Sequence, residues 1–467
     1  MCCCNDLGGS VEMENNQLLL AFYGDDFTGS TDAMEALASS GCRTVLFLEP
    51  PTREMLERFH GIRAIGVAGT SRAKGPSELS EEVGGVMERL AGTEAPVVHY
   101  KTCSTFDSSP AYGSIGEAIK TSRPYFAGQE TVPLLVGAPA LGRYTLFGNH
   151  FAKYGGEVFR LDRHPVMSRH PVTPMGEADL RLHLQAQLDE EMELMTILEL
   201  EGTSEQLKER LDAKLAKKPA VLLFDALDEE RLEASGKLLW DTAQSGNRFL
   251  VGSSGIEYAL TAHWQREGVI SGEMITSGET IKAADRLLVV SGSASPTSSL
   301  QIKTALEQGF KGLRIPPEAI ASGSAPEELL REAVRLLRSG ESVILYTALG
   351  PDDAMIAETR KQLEAAGIPA KQMGEHIGRQ LGRWTKRMML ESELRRVVIA
   401  GGDTSGFVTS EMGIYGLEML LPVSPGAPLC RVYASDERMD GVELALKGGQ
   451  FGSPDYYERV RSASANA

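Results

Sequence analysis

Two neighbouring carboxylates stand in a glycine-flanked turn near the start of the chain. The turn reads YGDDFTGSTD (residues 23–32), so that Asp25 and Asp26 lie beside three hydroxyl side chains. Carboxylates accept hydrogen bonds from substrate hydroxyls and can take a proton from one of them. Two adjacent buried carboxylates repel each other unless a cation or ligand stands near them. The turn therefore predicts a polar binding site, with a helix N-cap as the simpler alternative.

Two further turns of the first half supply cations and more hydroxyls. Arg72 ends the turn GTSR (residues 69–72), and Lys101 opens the run KTCSTFDSS (residues 101–109). Arg and Lys bind anionic groups such as carboxylates, while the neighbouring acidic side chains accept hydrogen bonds from hydroxyls. Together the three turns predict a site for a small polyhydroxylated acid.

A basic, proline-rich segment follows at residues 160–175 (RLDRHPVMSRHPVTPM). Its prolines stiffen the backbone and disfavour helix at the residues before them. Arg163 and His170 belong to this segment, which we expect to close over the acidic site as a lid. The alternative is a rigid connection with solvated charges, and the prolines disfavour metal binding by its histidines.

Turns rich in glycine and serine recur in the second half. They are SGSASP (residues 291–296), GGDTSG (residues 401–406) and KGGQFG (residues 447–452). Glycine lets the backbone approach a phosphate, and the N–H groups at a helix start bind anions. Asp403 could hold Mg²⁺ or accept a proton. Because the Walker motif GxxxxGK[ST] and a GxGxxG after the first strand of either half are missing, we predict a phosphate site of another kind.

Most of these turns follow a short apolar run that is typical of a buried strand. In the first half the runs cover residues 18–22, 44–48, 64–68, 97–100, 132–136, 220–224 and 249–252. Helical patterns, for example at residues 77–90 and 228–244, lie between them. The alternation predicts βα units and mostly parallel sheets, whose carboxyl ends are the usual place for ligands. We therefore expect the polar turns to converge on one rim.

A second α/β series begins after a polar linker at residues 275–282. Its strand-like runs cover residues 286–290, 312–315, 342–346 and 396–400. Later runs, at residues 417–422, 429–434 and 441–446, have no helices between them and predict a mixed or antiparallel edge. The fold class is thus α/β with two domains, at residues 17–276 and 277–467, behind a disordered extension at residues 1–16.

Composition restricts the class of protein. The chain has 467 residues and a formal net charge of −17, which argues against nucleic acid as a partner. Its apolar runs are shorter than the roughly 20 residues that span a bilayer, and it lacks a signal-peptide pattern. Six cysteines, three of them contiguous, predict no disulfide framework. We expect a cytoplasmic protein without membrane contact.

Five of these motifs, in this order, closely resemble the four-carbon acid sugar kinase family. They are GDDFTG (residues 24–29), KTCSTFDS (101–108), HPVTPM (170–175), SGS (291–293) and GGDTSG (401–406). The resemblance covers nearly the whole chain from about residue 17. It implies an ATP-dependent kinase with an N-terminal sugar-acid-binding domain and a C-terminal nucleotide-binding domain, and it is compatible with a homodimer.

The resemblance also implies roles for individual residues. The acid sugar would contact Asp25, Arg72, Lys101, Thr102, Cys103, Ser104, Asp107, Arg163 and His170. ATP, acting with Mg²⁺, would contact Ser291, Ser293, Gly401, Gly402, Asp403, Thr404, Gly448 and Gly449. The group that receives the hydroxyl proton would be Asp25, Asp26 or Asp403, and the sequence does not choose among them.

The form of residues 101–108 is closer to the 3-oxo-tetronate kinase branch of the family than to the threonate branch. Threonate, erythronate and the branched acid 3-oxo-isoapionate are alternative substrates, because residues 160–169 are more basic than the first branch leads us to expect. Two other classes remain as alternatives: a nucleotide-linked oxidoreductase and a sugar-acid sensor without catalytic activity.

Overall fold

A computed structural model describes residues 17–170, 172–274 and 281–465, without the side chains of Asp403 and Thr404. The strands of the first half are β1 Leu20–Gly24, β2 Thr44–Phe47, β3 Ala64–Ala68, β4 Val97–Lys101, β5 Val132–Leu135, β6 Arg143–Leu146, β7 Asn149–Tyr154, β8 Glu157–Arg160, β9 Met192–Met195, β10 Val221–Phe224 and β11 Phe249–Gly252. Its helices are α1 Phe27–Ser39, α2 Arg53–Leu56, α3 Pro76–Ala91, α4 Ile115–Ser122, α5 Leu180–Gln185, α6 Ser204–Leu215, α7 Glu229–Gln244 and α8 Gly255–Arg266.

The second half repeats the α/β pattern and then adds antiparallel strands. Its strands are β12 Leu288–Ser291, β13 Lys311–Arg314, β14 Val343–Tyr346, β15 Arg396–Ala400, β16 Ile414–Leu421, β17 Leu429–Ala434 and β18 Glu443–Lys447. Its helices are α9 Pro296–Glu307, α10 Pro317–Ser322, α11 Glu327–Arg338, α12 Ala354–Ala365, α13 Met373–Ser392, α14 Gly402–Met412 and α15 Tyr456–Ser462. The disordered extension and the domain boundary at residue 276 lie outside the described residues, so both stay predictions.

The predicted strands are confirmed, and so is the α/β fold class. The apolar run at residues 97–100, for example, is β4, which is buried along its whole length because it lies inside a parallel sheet. The antiparallel hairpins β6 to β8 were missed. Strand β8 is largely exposed, and an exposed strand carries no continuous apolar run that would reveal it.

One sheet runs through both halves of the molecule. Its strand order is β13-β14-β12-β15-β18-β17-β16-β2-β3-β1-β4-β11-β5-β10-β9. The predicted antiparallel edge is the set β16 to β18, and β16 pairs with β2 of the first half. Three successive antiparallel pairings reverse the strand direction between the halves. In a flat sheet their carboxyl ends would therefore lie at opposite edges.

Sheet twist brings the two sets of carboxyl ends back towards each other. Neighbouring strands rotate by roughly 20–25°, so the six steps from β15 to β1 accumulate a rotation on the order of 120–150°. Combined with the reversal, this leaves the two strand directions at an acute angle. The polar turns of both halves can therefore face one cleft.

Polar side chains bridge the joint between the halves. Arg43, before β2, donates from Nε to Glu418 of β16 at 2.6 Å. Glu35 of α1 is buried and accepts the N–H of Gly426 at 2.6 Å. The largest apolar cluster also crosses the joint, since it includes Leu46 of β2. The two halves thus share a core.

The environment of Glu35 predicts that the stability of the folded protein depends on pH. Burial raises its pKa from the ordinary 4.5 to about 8. Between these values the folded protein keeps a proton that the unfolded chain has lost. The free energy of unfolding therefore falls, by at most about 1.4 kcal/mol per pH unit, as the pH rises through this window. We expect Glu35→Gln to reduce this slope in urea unfolding measured from about pH 5 to about pH 8.

The exposed Glu54 provides the control for this experiment. We expect Glu54→Gln to keep the slope of the unchanged protein. If Glu35→Gln also keeps it, Glu35 is not protonated in the folded state.

None of the described helices combines the length and the apolar character that crossing a membrane requires.

Candidate active site

The carboxyl ends of β1, β3 and β4 bring the three polar turns of the first half together. Strand β1 lies between the other two, with Gly24 opposite both Ala68 and Lys101. The N–H of Asp25 donates to the Lys101 carbonyl oxygen at 3.0 Å, and the N–H of Arg72 donates to the Asp25 carbonyl oxygen at 3.0 Å. The structure therefore places Asp25, Arg72 and Lys101 on one rim.

Arg72 binds both carboxylates of the first turn. One terminal nitrogen donates to Asp25 Oδ1 at 2.5 Å and to Asp26 Oδ1 at 2.7 Å, and Nε donates to Asp25 Oδ2 at 3.2 Å. Both oxygens of Asp25 are thus occupied. Burial raises the pKa of Asp25, and the Arg72 guanidinium opposes this shift. The guanidinium is the cation that lets two adjacent carboxylates share this turn.

Asp26 also serves as the N-cap of α1. Its Oδ1 accepts the N–H of Gly29 at 2.8 Å, as the helix-cap alternative expects. Among the described residues, its Oδ2 has no hydrogen-bond partner, and the side chain is 29% exposed. This second oxygen is therefore available to a substrate hydroxyl.

Lys101 is buried at the end of β4 and faces a third carboxylate. Its Nζ lies 3.7 Å from Asp32 Oδ2, and its side chain is 2% exposed. Burial raises the pKa of Asp32, which Lys101 opposes. The rim thus holds two cations, Arg72 and Lys101, each paired with one or more of the three carboxylates.

Gly29 lacks a side chain because Lys101 and Asp26 fill the space beside it. An ideal Cβ at this position would clash with Lys101 Nζ and Asp26 Oδ1. We expect Gly29→Ala to displace both groups and to lower kcat/KM for the acid by about tenfold or more, since misplacing a group by about 1 Å can cost roughly 100-fold. Steady-state kinetics measure the loss.

Gly85 of α3 is the matched control, because an ideal Cβ there meets none of the described atoms within 4 Å outside its own helix backbone and chain neighbours. We expect Gly85→Ala to keep full activity and to stabilise the helix slightly. Full activity of Gly29→Ala, or the same loss in both variants, would contradict this account of Gly29.

The remaining predicted contacts of the third turn are held by hydrogen bonds. Thr102 donates from its N–H to the Gly252 carbonyl oxygen at 2.6 Å, and the Ser104 carbonyl oxygen is bound by His150 Nε2 at 2.8 Å. Asp107 Oδ1 accepts the Thr105 hydroxyl at 2.7 Å. Burial raises the pKa of Cys103 to about 11, so this side chain stays a thiol at neutral pH. The turn is held by these hydrogen bonds and offers polar groups, and its cysteine is not an activated nucleophile.

Arg163 and His170 lie apart from this group. The Arg163 side chain is 73% exposed and pairs with Asp162 at 3.2 Å. His170 Nδ1 accepts hydrogen bonds from the N–H and the hydroxyl of Thr173. Within the described part of the chain, neither residue has a hydrogen bond or ion pair with Asp25, Asp26 or Lys101. Their roles as substrate ligands, and the role of their segment as a lid, stay predictions.

The glycine turns of the second half meet at the carboxyl ends of β12, β15 and β18. The N–H of Gly292 donates to the Ala400 carbonyl oxygen at 3.0 Å, and the N–H of Gly401 donates to the Lys447 carbonyl oxygen at 2.9 Å. Gly401 has a φ of +148°, which favours glycine. Apart from its chain neighbours and the backbone of α14 itself, none of the described atoms lies within 4 Å of an ideal Cβ on Gly402, where α14 begins. This helix start is therefore open to a ligand.

Two serines and Gly449 also belong to the glycine turns of the second half. Ser291 is fully buried, and its hydroxyl has no hydrogen-bond partner among the described residues. Ser293 lies next to Gly449, since an ideal Cβ on that glycine would stand 2.9 Å from Ser293 Oγ. The side chains of Asp403 and Thr404 lie outside the described residues, so their predicted contacts stay predictions.

The two sets of turns face each other. An ideal Cβ on Gly448 would stand 3.3 Å from Thr28 Cγ2, in the first turn of α1. An ideal Cβ on Gly406 of α14 would stand 3.4 Å from the ring of Phe27. The glycine turns therefore border the turn that carries Asp25 and Asp26.

Comparison with known proteins identifies both halves. Residues 20–260 match a family model described as a sugar-binding N-terminal domain, and residues 288–457 match one described as a nucleotide-binding C-terminal domain. The chain is 44% identical to a 3-oxo-isoapionate kinase of Paraburkholderia graminis, over 95% of this chain and 94% of that protein. The chain belongs to the four-carbon acid sugar kinase family.

Two further proteins resemble this chain at lower identity. A 3-oxo-tetronate kinase of Pseudomonas savastanoi pv. phaseolicola is 28% identical over 98% of this chain and 100% of that protein. The solved structure of Haemophilus influenzae protein HI1011 has the same fold, with a TM-score of 0.71 and 21% identity over 94% of this chain and 99% of that one. The predicted family and the class of sugar-acid kinase are confirmed.

Sequence reasoning overlooked two charged residues of this kinase site. Asp32 ends the first motif and Lys447 begins the third glycine turn, and neither was given a role. Lys447 is 1% exposed, and its Nζ donates to the Ser298 hydroxyl at 3.1 Å. Both residues stand directly at a predicted turn, which is the signal that could have identified them.

Proposed function

We propose that this protein transfers the γ-phosphoryl group of ATP to a hydroxyl of a short branched sugar acid, with 3-oxo-isoapionate as the first candidate. The supporting observation is the close approach of Gly448 to the first turn of α1, where an ideal Cβ on Gly448 would stand 3.3 Å from Thr28 Cγ2. A phosphoryl acceptor bound at the rim would lie next to a phosphate bound at the glycines.

The choice of acid rests on similarity. The identity with the 3-oxo-isoapionate kinase is 44%, against 28% with the 3-oxo-tetronate kinase. The straight-chain 3-oxo-tetronate is the second candidate, because the third turn resembles that branch. Threonate and erythronate follow as further members of the same substrate class.

At the site that would bind the sugar acid, Asp26 would act as the general base. Its free Oδ2 can accept the proton of the attacking hydroxyl, whereas both oxygens of Asp25 are engaged by Arg72. Lys101 and the polar groups of residues 102–107 would orient the acid. Phosphoryl transfer depends mainly on such positioning and on charge neutralisation. Asp403 is the alternative base.

On the nucleotide side, ATP with Mg²⁺ would bind over the glycine turns. The unpartnered Ser291 hydroxyl and the open start of α14 suit a phosphate, and a helix start attracts anions. Among the described residues, no three metal-binding side chains cluster. This fits Mg²⁺ held mainly by phosphates and one or two carboxylates, which would neutralise the charge of the transferred group. A cytoplasmic location and a homodimer are parts of the same proposal.

Release of ADP tests the proposal. We expect a coupled assay with four- and five-carbon acids to give the highest kcat/KM with 3-oxo-isoapionate. A higher value with 3-oxo-tetronate would replace the first candidate by the second. Nucleotide binding without turnover of any acid would favour a sensor, and oxidation of NAD(P)H with an acid would favour an oxidoreductase.

A further inference from the structure

A chain of three polar side chains runs from the interior of the second half to its glycine turns. It starts at Lys447 Nζ, which donates to Ser298 Oγ at 3.1 Å. Ser298 Oγ donates in turn to Ser293 Oγ at 3.0 Å, and the N–H of Ser295 donates to the same Ser293 oxygen at 3.3 Å. Lys447 and Ser298 are buried, and Ser293 is the most exposed of the three, at 9%.

Lys447 sets the direction in which these hydrogen bonds are donated. A charged amine can only donate, so Ser298 Oγ accepts from Lys447. Its single proton points to Ser293 Oγ at 3.0 Å, with the Gly449 carbonyl oxygen as a second, longer acceptor at 3.4 Å. Ser293 Oγ then accepts two hydrogen bonds, which occupy both of its lone pairs. Its own proton has to point elsewhere, and within the described part of the chain no acceptor receives it.

The position of Ser293 shows where that proton can go. Ser293 lies beside Gly449, and the neighbouring Gly448 borders Thr28 of the acidic rim. We propose that Lys447 orients the Ser293 hydroxyl so that it donates to a phosphate oxygen of the bound nucleotide. Lys447 is thus a positioning residue that acts through Ser298 and Ser293. This inference rests on the proposed nucleotide site.

The charge of Lys447 has no compensating partner among the described side chains. From β15 and β18 the charged neighbours are Arg396 and Glu443, which pair with each other at the opposite strand ends. Strand β17 contributes Cys430, a thiol whose pKa is raised by burial, as well as Arg431. Helix α9 contributes the serines, α14 carries Asp403, and Glu35 of α1 binds Gly426.

The direction of the hydrogen bonds from Lys447 through Ser298 to Ser293 should therefore depend on pH. Burial lowers the pKa of Lys447 to about 8. Above that pH the neutral amine can accept a hydrogen bond, so Ser298 can turn its proton away from Ser293. Ser293 is then free to donate to Ser298, and its donation to the phosphate is lost.

A double-mutant cycle on ADP binding tests the proposal. With Mg²⁺ and ADP as the probe, we expect Lys447→Met to raise Kd about tenfold, the value of one hydrogen bond to a charged group. In a Ser293→Ala background the same change should alter Kd by less than about twofold, because the hydroxyl it orients is gone. The unchanged protein should also lose affinity as the pH rises past about 8, and Ser293→Ala should not.

Two controls keep the outcomes distinct. Ser299 is the next residue of α9 and donates to the Leu349 carbonyl oxygen at 3.1 Å, so we expect Ser299→Ala to keep the Kd. Lys447→Met replaces a buried amine by an apolar side chain of similar length, which should not lower the unfolding temperature. An unchanged Kd in Lys447→Met, or the same loss in both backgrounds, overturns the proposal. If the unchanged protein binds no ADP, the nucleotide site itself is wrong.

Discussion

Asp26→Asn should lower kcat by about 10²- to 10⁴-fold, the usual contribution of a general base. Asn is as good an N-cap as Asp, so its Oδ1 can still accept from Gly29 and Arg72. The amide nitrogen then takes the place of the free Oδ2, where it can donate but cannot receive the hydroxyl proton. Steady-state kinetics with ATP and the acid measure kcat, and thermal unfolding should show an almost unchanged midpoint.

Asp228 provides a matched control for this substitution. It caps α7 through the N–H of Arg231 and also binds the Arg231 guanidinium, as Asp26 binds Gly29 and Arg72. We expect Asp228→Asn to keep full activity. Full turnover of Asp26→Asn together with a large loss in Asp403→Asn would move the base to Asp403.

Arg72→Met should remove both activity and stability. The change leaves Asp25 buried without its cation, and breaking a buried pair in this way typically costs about 3–5 kcal/mol. The loss should be smaller at low pH, where Asp25 is protonated and no longer needs a cation. Urea unfolding at two pH values measures the stability, and the coupled ADP assay measures the activity.

The double variant Arg72→Met with Asp25→Asn separates the two effects. It should recover much of the stability, because no buried charge is left unpaired at position 25, and it should stay inactive. Arg181 binds Asp179 in the same two-pronged way at a more exposed site, so Arg181→Met should cost about 1 kcal/mol or less. Stability and turnover that survive in Arg72→Met would rule out its role at the rim.

The strands and the polar turns after them could be predicted from the sequence because both signals are local. A buried strand such as β4 is a short apolar run, and the turn that follows it starts at Lys101. Parallel packing then forces neighbouring turns together, which is why Asp25, Arg72 and Lys101 were expected on one rim.

The joint between the halves depends on long-range pairing and could not be predicted. Residues of β16 gave a strand signal, but nothing in the sequence indicates that this strand pairs with β2, over 360 residues earlier in the chain. The partner of Lys101 was hidden for a related reason, because Asp32 reaches it only through the packing of α1 against the sheet. The proposed substrate contacts of Arg163 and His170 stay predictions, because the bonds described for the two residues lie within their own segment.

The central claim is that the acidic rim and the glycine turns form one catalytic cleft. A crystal structure with a non-hydrolysable ATP analogue, Mg²⁺ and the acid tests it most directly. We predict that the γ-phosphate lies between Thr28 and Gly448, with an acid hydroxyl bound to Asp26 Oδ2 and directed at the phosphorus. A nucleotide bound away from Gly448, or an acid bound away from Asp26, would contradict the account.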